Sequence, residues 1–93
     1  MEGGPGSNRD LLDLERLRVL VNDRLALGAV AFTSRAGRWV ATLDRTPVAY
    51  GDKLEYRKAA FSRAKQYIDE GMTSFRVIEG PWTVYHTEEE NDA

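Results

Sequence analysis

The chain has 93 residues, 42% of them hydrophobic and 30% charged, with a net charge of −2 and no cysteine. This length suits one modest domain and this composition a globular chain, while the missing thiols exclude disulfides, thiolate zinc sites and cysteine nucleophiles. The longest apolar runs, such as Gly28 to Phe32, fall far short of the ~18 residues of a membrane span, and no basic-then-apolar leader opens the chain, so the expected location is the cytoplasm.

Residues 1–7 (Met-Glu-Gly-Gly-Pro-Gly-Ser) are too glycine-rich for a helix or strand and are expected to form a flexible N-terminal segment. Ser7 and Asp10 have the spacing of a capping pair, and Leu11, Leu14, Leu17, Val21 and Leu25 then keep to one face of a 3.6-residue period. A helix over residues 8–27 follows, ending at Gly28. Ala29 to Ser34 and Arg38 to Leu43 are rich in β-formers and flank Arg35-Ala36-Gly37, the pattern of a tight hairpin. After a turn at Asp44-Arg45-Thr46, Pro47 to Tyr50 is expected to add a short edge strand.

A second helix is predicted over 52–70. Asp52 caps it, Glu55 stands three residues later, and Leu54, Ala60, Phe61, Ala64, Tyr67 and Ile68 share its apolar face. Gly71 closes this helix. Thr73 to Ile78 and Trp82 to His86 make a second strand pair around Glu79-Gly80-Pro81.

Gly28, Phe32, Gly37 and Trp39 recur 43 positions later as Gly71, Phe75, Gly80 and Trp82. Such a recurrence suggests duplicated α-β-β units, with pseudo-repeats at 8–50 and 51–87. The expected fold is a two-layer α+β sandwich, with two helices on one face of a four- or five-stranded, mainly antiparallel sheet. Phe32, Trp39, Phe75 and Trp82 are expected to supply its aromatic core. Residues 8–87 then form a single domain. Residues 88–93, which include Glu88, Glu89, Glu90 and Asp92, read as an acidic disordered tail and leave the rest of the chain at +2.

Binding surfaces are the better-supported functional candidates. Leu12 and Val19 lie seven residues apart and off the main stripe of the first helix, with Ala26 seven further on, and Leu20 is also off it. A helix packed on one sheet needs a single stripe, so the second one fits either a wider contact with the other helix or a face that meets a protein partner or a second copy. Arg35, Arg38 and Arg45 surround the first hairpin beside Trp39, an arrangement in which arginines can meet phosphates while the ring stacks on a base. A body charge of only +2 supplies little counterion-release affinity, so nucleic acid is the alternative partner. Arg57 interrupts the apolar stripe of the second helix, where its stem can lie on the core with the guanidinium in water.

Catalysis has no such support. His86 is the only histidine, expected at a partly exposed strand end, and no Gly-x-Ser-x-Gly elbow or phosphate-cradling glycine loop is present. No enzyme activity, metal site or cofactor is expected.

The ten arginines against three lysines, the Ala, Gly and Val usage and the strand start Gly37-Arg38-Trp39-Val40 resemble the small orphan proteins of phages that infect high-GC actinobacteria. The resemblance implies a cytoplasmic protein that binds and modulates a host protein of growth, division, transcription or defence. The expected function is therefore a small protein-interaction module.

Overall fold

A computed structural model describes residues 8–24, 28–44 and 54–88. Six elements follow one another: α1 (Asn8–Asp23), β1 (Ala29–Ser34), β2 (Gly37–Leu43), α2 (Leu54–Asp69), β3 (Phe75–Glu79) and β4 (Trp82–Thr87). The strands form one sheet in the order β1-β2-β4-β3, every neighbour antiparallel. The fold is α+β, with α1 over β1 and β2 and α2 over β3 and β4.

Strand alternation sets which side chains meet the helices. Val30, Trp39, Ala41, Phe75, Val77, Trp82 and Val84 are buried and alternate with outward residues along each strand. They pack on Leu14, Leu17 and Val21 of α1 and on Ala60, Phe61, Ala64 and Ile68 of α2. Both tryptophans are fully buried, and Trp39 stacks edge-on to Phe75 at 5.8 Å between centroids. Phe32 packs against this core, as expected, but from its edge. It is half-buried, because β1 is an edge strand and α1 covers it from one side only.

Several boundaries shift. Helix α1 is described to Asp23, with Arg24 in a turn, and Leu25, Ala26 and the expected end before Gly28 lie partly or wholly among undescribed positions. Ser7, the proposed strand at 47–50, Asp52, Arg45 and the tail beyond Glu88 also lie outside the described residues. Leu54 is exposed at the first turn of α2 rather than buried, since its turn precedes the part of the helix that reaches the sheet.

Each hairpin has a two-residue turn, Arg35-Ala36 and Gly80-Pro81. Gly37, the first residue of β2, has φ of +137°, and a Cβ there would run into the Thr87 carbonyl and the His86 imidazole. A Cβ on Gly80 would meet the Tyr56 ring instead.

The strand order is symmetric about a twofold between β2 and β4. In this relation the closing pair Ser34↔Gly37 corresponds to Glu79↔Trp82, a spacing of 45, and the axis passes through the Val40↔Tyr85 pair. On the helices, the buried positions Asp13, Leu14, Leu17 and Val21 match Ala60, Phe61, Ala64 and Ile68 at a spacing of 47. The recurrence at 43 therefore does not join equivalent positions. Trp39 and Trp82 stand two residues apart in their hairpins, and the register does not confirm the duplication.

Candidate functional site

The outer side of α1 carries a second apolar stripe. Leu12 and Val19, two turns apart, are 59% and 46% exposed, while Leu20 is half-buried against the core. From β1, Phe32 reaches the same place. Together these side chains line a groove of about 410 Å³, flanked by Glu15 and Arg16. The structure thus brings Leu12, Val19 and Leu20 onto one surface and adds Phe32. The alternative of a wider helix–helix contact does not hold for Leu12 and Val19, because both are exposed and the α1 residues that line the groove toward α2 are Leu11, Leu14, Glu15 and Arg18.

Among the described residues no strand pairs with the outer side of β1, and the groove runs along that edge. Leu43 N–H donates to the Gly28 carbonyl at 2.8 Å, so the even-numbered residues of β1 bond to β2. Ala29, Ala31 and Thr33 therefore turn their N–H and C=O groups outward. None carries a charge, and β1 contains no proline to blunt pairing.

Arginines Arg35 and Arg38 do not form the surface expected with Trp39. Arg38 is exposed on the helix-free face of the sheet, Arg35 is exposed in the turn, and Trp39 is buried on the other face, so its ring cannot stack on a base. The helix-free face instead holds a row Ala31, Val40, Tyr85 and Arg76, with half-buried Tyr85 its sole aromatic among the described residues.

His86 is 4% exposed, not the partly exposed edge residue its position near a strand end suggested. Strand β4 is central, and alternation turns His86 toward the helices, where it lies 4.4 Å from the Trp39 ring and 5.8 Å from Phe75. Its Nε2 lies 3.2 Å from the Ala36 carbonyl. Nearby, the buried Asp13 carboxylate accepts a 2.6 Å hydrogen bond from Ser34 Oγ, which in turn accepts one from Ala36 N–H. Asp, Ser and His thus lie close together, yet the order needed for a proton relay is missing: the Ser34 hydroxyl donates to Asp13 and the His86 ring meets a carbonyl. The cluster fastens the first hairpin to the start of α1. Asp13 carries no sequence signal of this role beyond its place beside Leu14 on the sheet-facing stripe.

Between the helices lies a second groove of about 460 Å³, with Leu11, Leu14 and Phe61 below and Arg18, Arg57, Lys58 and Lys65 around it. Burial, with Arg18 nearby, lowers the Arg57 pKa, and the guanidinium donates to the Asn22 side chain. Arg18 is bound to Glu15 through two 3.2 Å contacts, which lower the carboxyl pKa. Among the described residues no cluster of His, Cys, Asp or Glu could hold a metal ion, and no helix is long and apolar enough to cross a membrane. Comparison with protein-family models, curated proteins and solved structures gives no match.

Proposed function

We propose that the protein is a small protein-binding module of the cytoplasm, which holds its partner along β1 and in the groove beside it. The observation that carries this reading is the coincidence of a sheet edge left unpaired among the described residues with the apolar groove of Leu12, Val19, Leu20 and Phe32. An added strand would satisfy the outward backbone groups while the groove takes apolar side chains, which is strand addition supplemented by a hydrophobic contact. Burying Leu12 and Val19 contributes on the order of 3 to 5 kcal/mol before the cost of association, enough for a specific contact. Modulation of a host protein, the role implied by the resemblance to actinobacteriophage proteins, is one use of such a face.

Nucleic-acid binding ranks second. Arg38 and Arg76 lie on the helix-free sheet face with Tyr85, but one aromatic and a weakly basic body support only weak binding that is lost at moderate salt.

The protein-binding reading is tested with Leu12→Asp combined with Val19→Asp. The variant is expected to keep its circular dichroism and melting temperature while losing association with any protein, measured by light scattering and by capture from the native cell. A folded variant that keeps every association overturns the reading.

A further inference from the structure

We infer that the occupant of the α1/β1 surface is a second copy of this chain, related by a twofold axis that pairs β1 with β1 and α1 with α1. The inference rests on the protein-binding reading and names its partner.

Layer geometry permits both contacts at once. Neighbouring strands lie about 4.8 Å apart, and α1 sits over β1 and β2. Adding a twin strand to β1 places the twin helix about two strand spacings from α1, roughly 10 Å away and at the upper end of the distance at which helices pack. Within the chain, α1 over β1 and β2 and α2 over β3 and β4 already repeat that arrangement.

The groove residues are self-complementary. Leu12, Glu15, Arg16 and Val19 have the same chemistry read from either end, apolar then charged, with opposite charges at the centre. When two α1 helices lie antiparallel about the midpoint between Glu15 and Arg16, Leu12 faces Val19 of the second copy and Glu15 faces Arg16 of the second copy. A twofold contact requires this reciprocity. The Arg16 side chain makes no ion pair or hydrogen bond among the described residues, and Glu15, although held by Arg18 of its own chain, keeps its side chain 54% exposed and open to Arg16 of a second copy.

The strand offers an axis beside the same groove. The Ser34 to Asp13 hydrogen bond ties the end of β1 to the start of this helical stretch, and Phe32 lines the groove together with Leu12, Glu15, Arg16 and Val19. An axis near Phe32 sets Ala31 against Thr33 of the second copy. Both residues have outward backbone groups to exchange, and the two Phe32 rings meet beneath the helices. The result is a continuous eight-stranded sheet under four helices.

Charge exchange gives a test that a structural role alone would not satisfy. Glu15→Arg and Arg16→Glu each place like charges across the axis, and each is expected to weaken the dimer at least ~10-fold at low salt in sedimentation equilibrium. Mixed in equal amounts, the two variants are expected to form a heterodimer tighter than either homodimer, because Arg then faces Glu at both contacts. Circular dichroism confirms that each variant is folded. A wild-type protein that stays monomeric at about 1 mM overturns the inference. So does a dimer unmoved by both charge changes, or a mixture that forms no heterodimer. If the wild type is monomeric but the Leu12/Val19 double variant loses capture of another protein, the second-copy inference fails while the protein-binding reading stands.

Discussion

The sheet has two edges built by the same sequence of helix, strand and strand, and they end differently. At the β3 edge, Arg63 of α2 pairs with Glu79 at 3.1 Å, Arg76 stands on the edge strand, and Tyr67 covers Phe75 at 5.4 Å between rings. At the β1 edge, the residues matching Arg63 and Glu79 are Arg16 and Ser34, so the ion pair cannot form. The residues matching Ala59 and Gln66 of α2 are Leu12 and Val19. Among the described residues one edge carries charge and the other is apolar and unpaired, within a single architecture. Natural sheets guard their edges against pairing, and among the described residues β1 lacks the guard that β3 has, beside the exposed Leu12 and Val19 on which the proposed binding face rests.

The largest expected effect tests the equivalence underlying that comparison. Val21 and Ile68 occupy matching buried positions at 1% and 2% exposure. Val21→Asp and Ile68→Asp should each unfold the domain, because an unpaired carboxylate in the core costs more than a small domain has to lose. If thermal unfolding shows one variant folded and the other not, the two halves do not share a core in the way the registers indicate.

The two hairpins give the next effect. Gly37→Ala sets a Cβ against the Thr87 backbone at φ +137°, whereas Gly80→Ala, at φ +58° in the left-handed helical region, meets a side-chain ring, that of Tyr56. Chemical denaturation should show a loss of about 3 kcal/mol at Gly37 and about 1 kcal/mol at Gly80. Equal losses would mean that the Tyr56 ring is held as firmly as the backbone of β4.

What the residues disclosed in advance follows the same division between local and long-range causes. Helical period, strand alternation and the glycine turns are local, and they placed all six elements and the burial of both tryptophans, while for Leu12 and Val19 they left a helix–helix contact and an exposed face both open. The rest depended on which strands became neighbours. His86 is buried because β4 is central, and Phe32 is half-exposed because β1 is not; neither follows from alternation alone. The buried Asp13 is explained only by Ser34, 21 residues away. The recurrence at 43 matched residue types while the hairpin pairing settled on 45, because register answers to the sum of contacts on the helix face.

Making α1 resemble α2 sharpens the edge comparison directly. Leu12→Ala with Val19→Gln copies the residues at the matching α2 positions onto α1. Both sites are exposed, so stability should change by less than about 1 kcal/mol. Association measured by light scattering should nevertheless be lost. A second change, Ala31→Lys, adds to β1 the charge that Arg76 gives β3 and should weaken association without touching the groove. If association survives both substitutions, the difference between the edges has no bearing on binding.

The smallest effect concerns the exposed pair Glu15 and Arg18, whose counterparts on α2 are Ser62 and Lys65 and cannot form it. The hydrogen bond from Arg18 lowers the Glu15 pKa in the folded state relative to the unfolded chain. A depressed carboxyl pKa means that the stabilisation is present above the unfolded value and is lost as pH falls through the folded one. The pair is largely in water, so solvent screening limits it to about 0.3 kcal/mol. A double-mutant cycle of Glu15→Gln and Arg18→Gln should recover that coupling at pH 7 and none at pH 2, and 1 M salt should remove most of it. Measured on the monomer, a coupling that persists at pH 2 would show that the two side chains interact through packing of their stems rather than through charge.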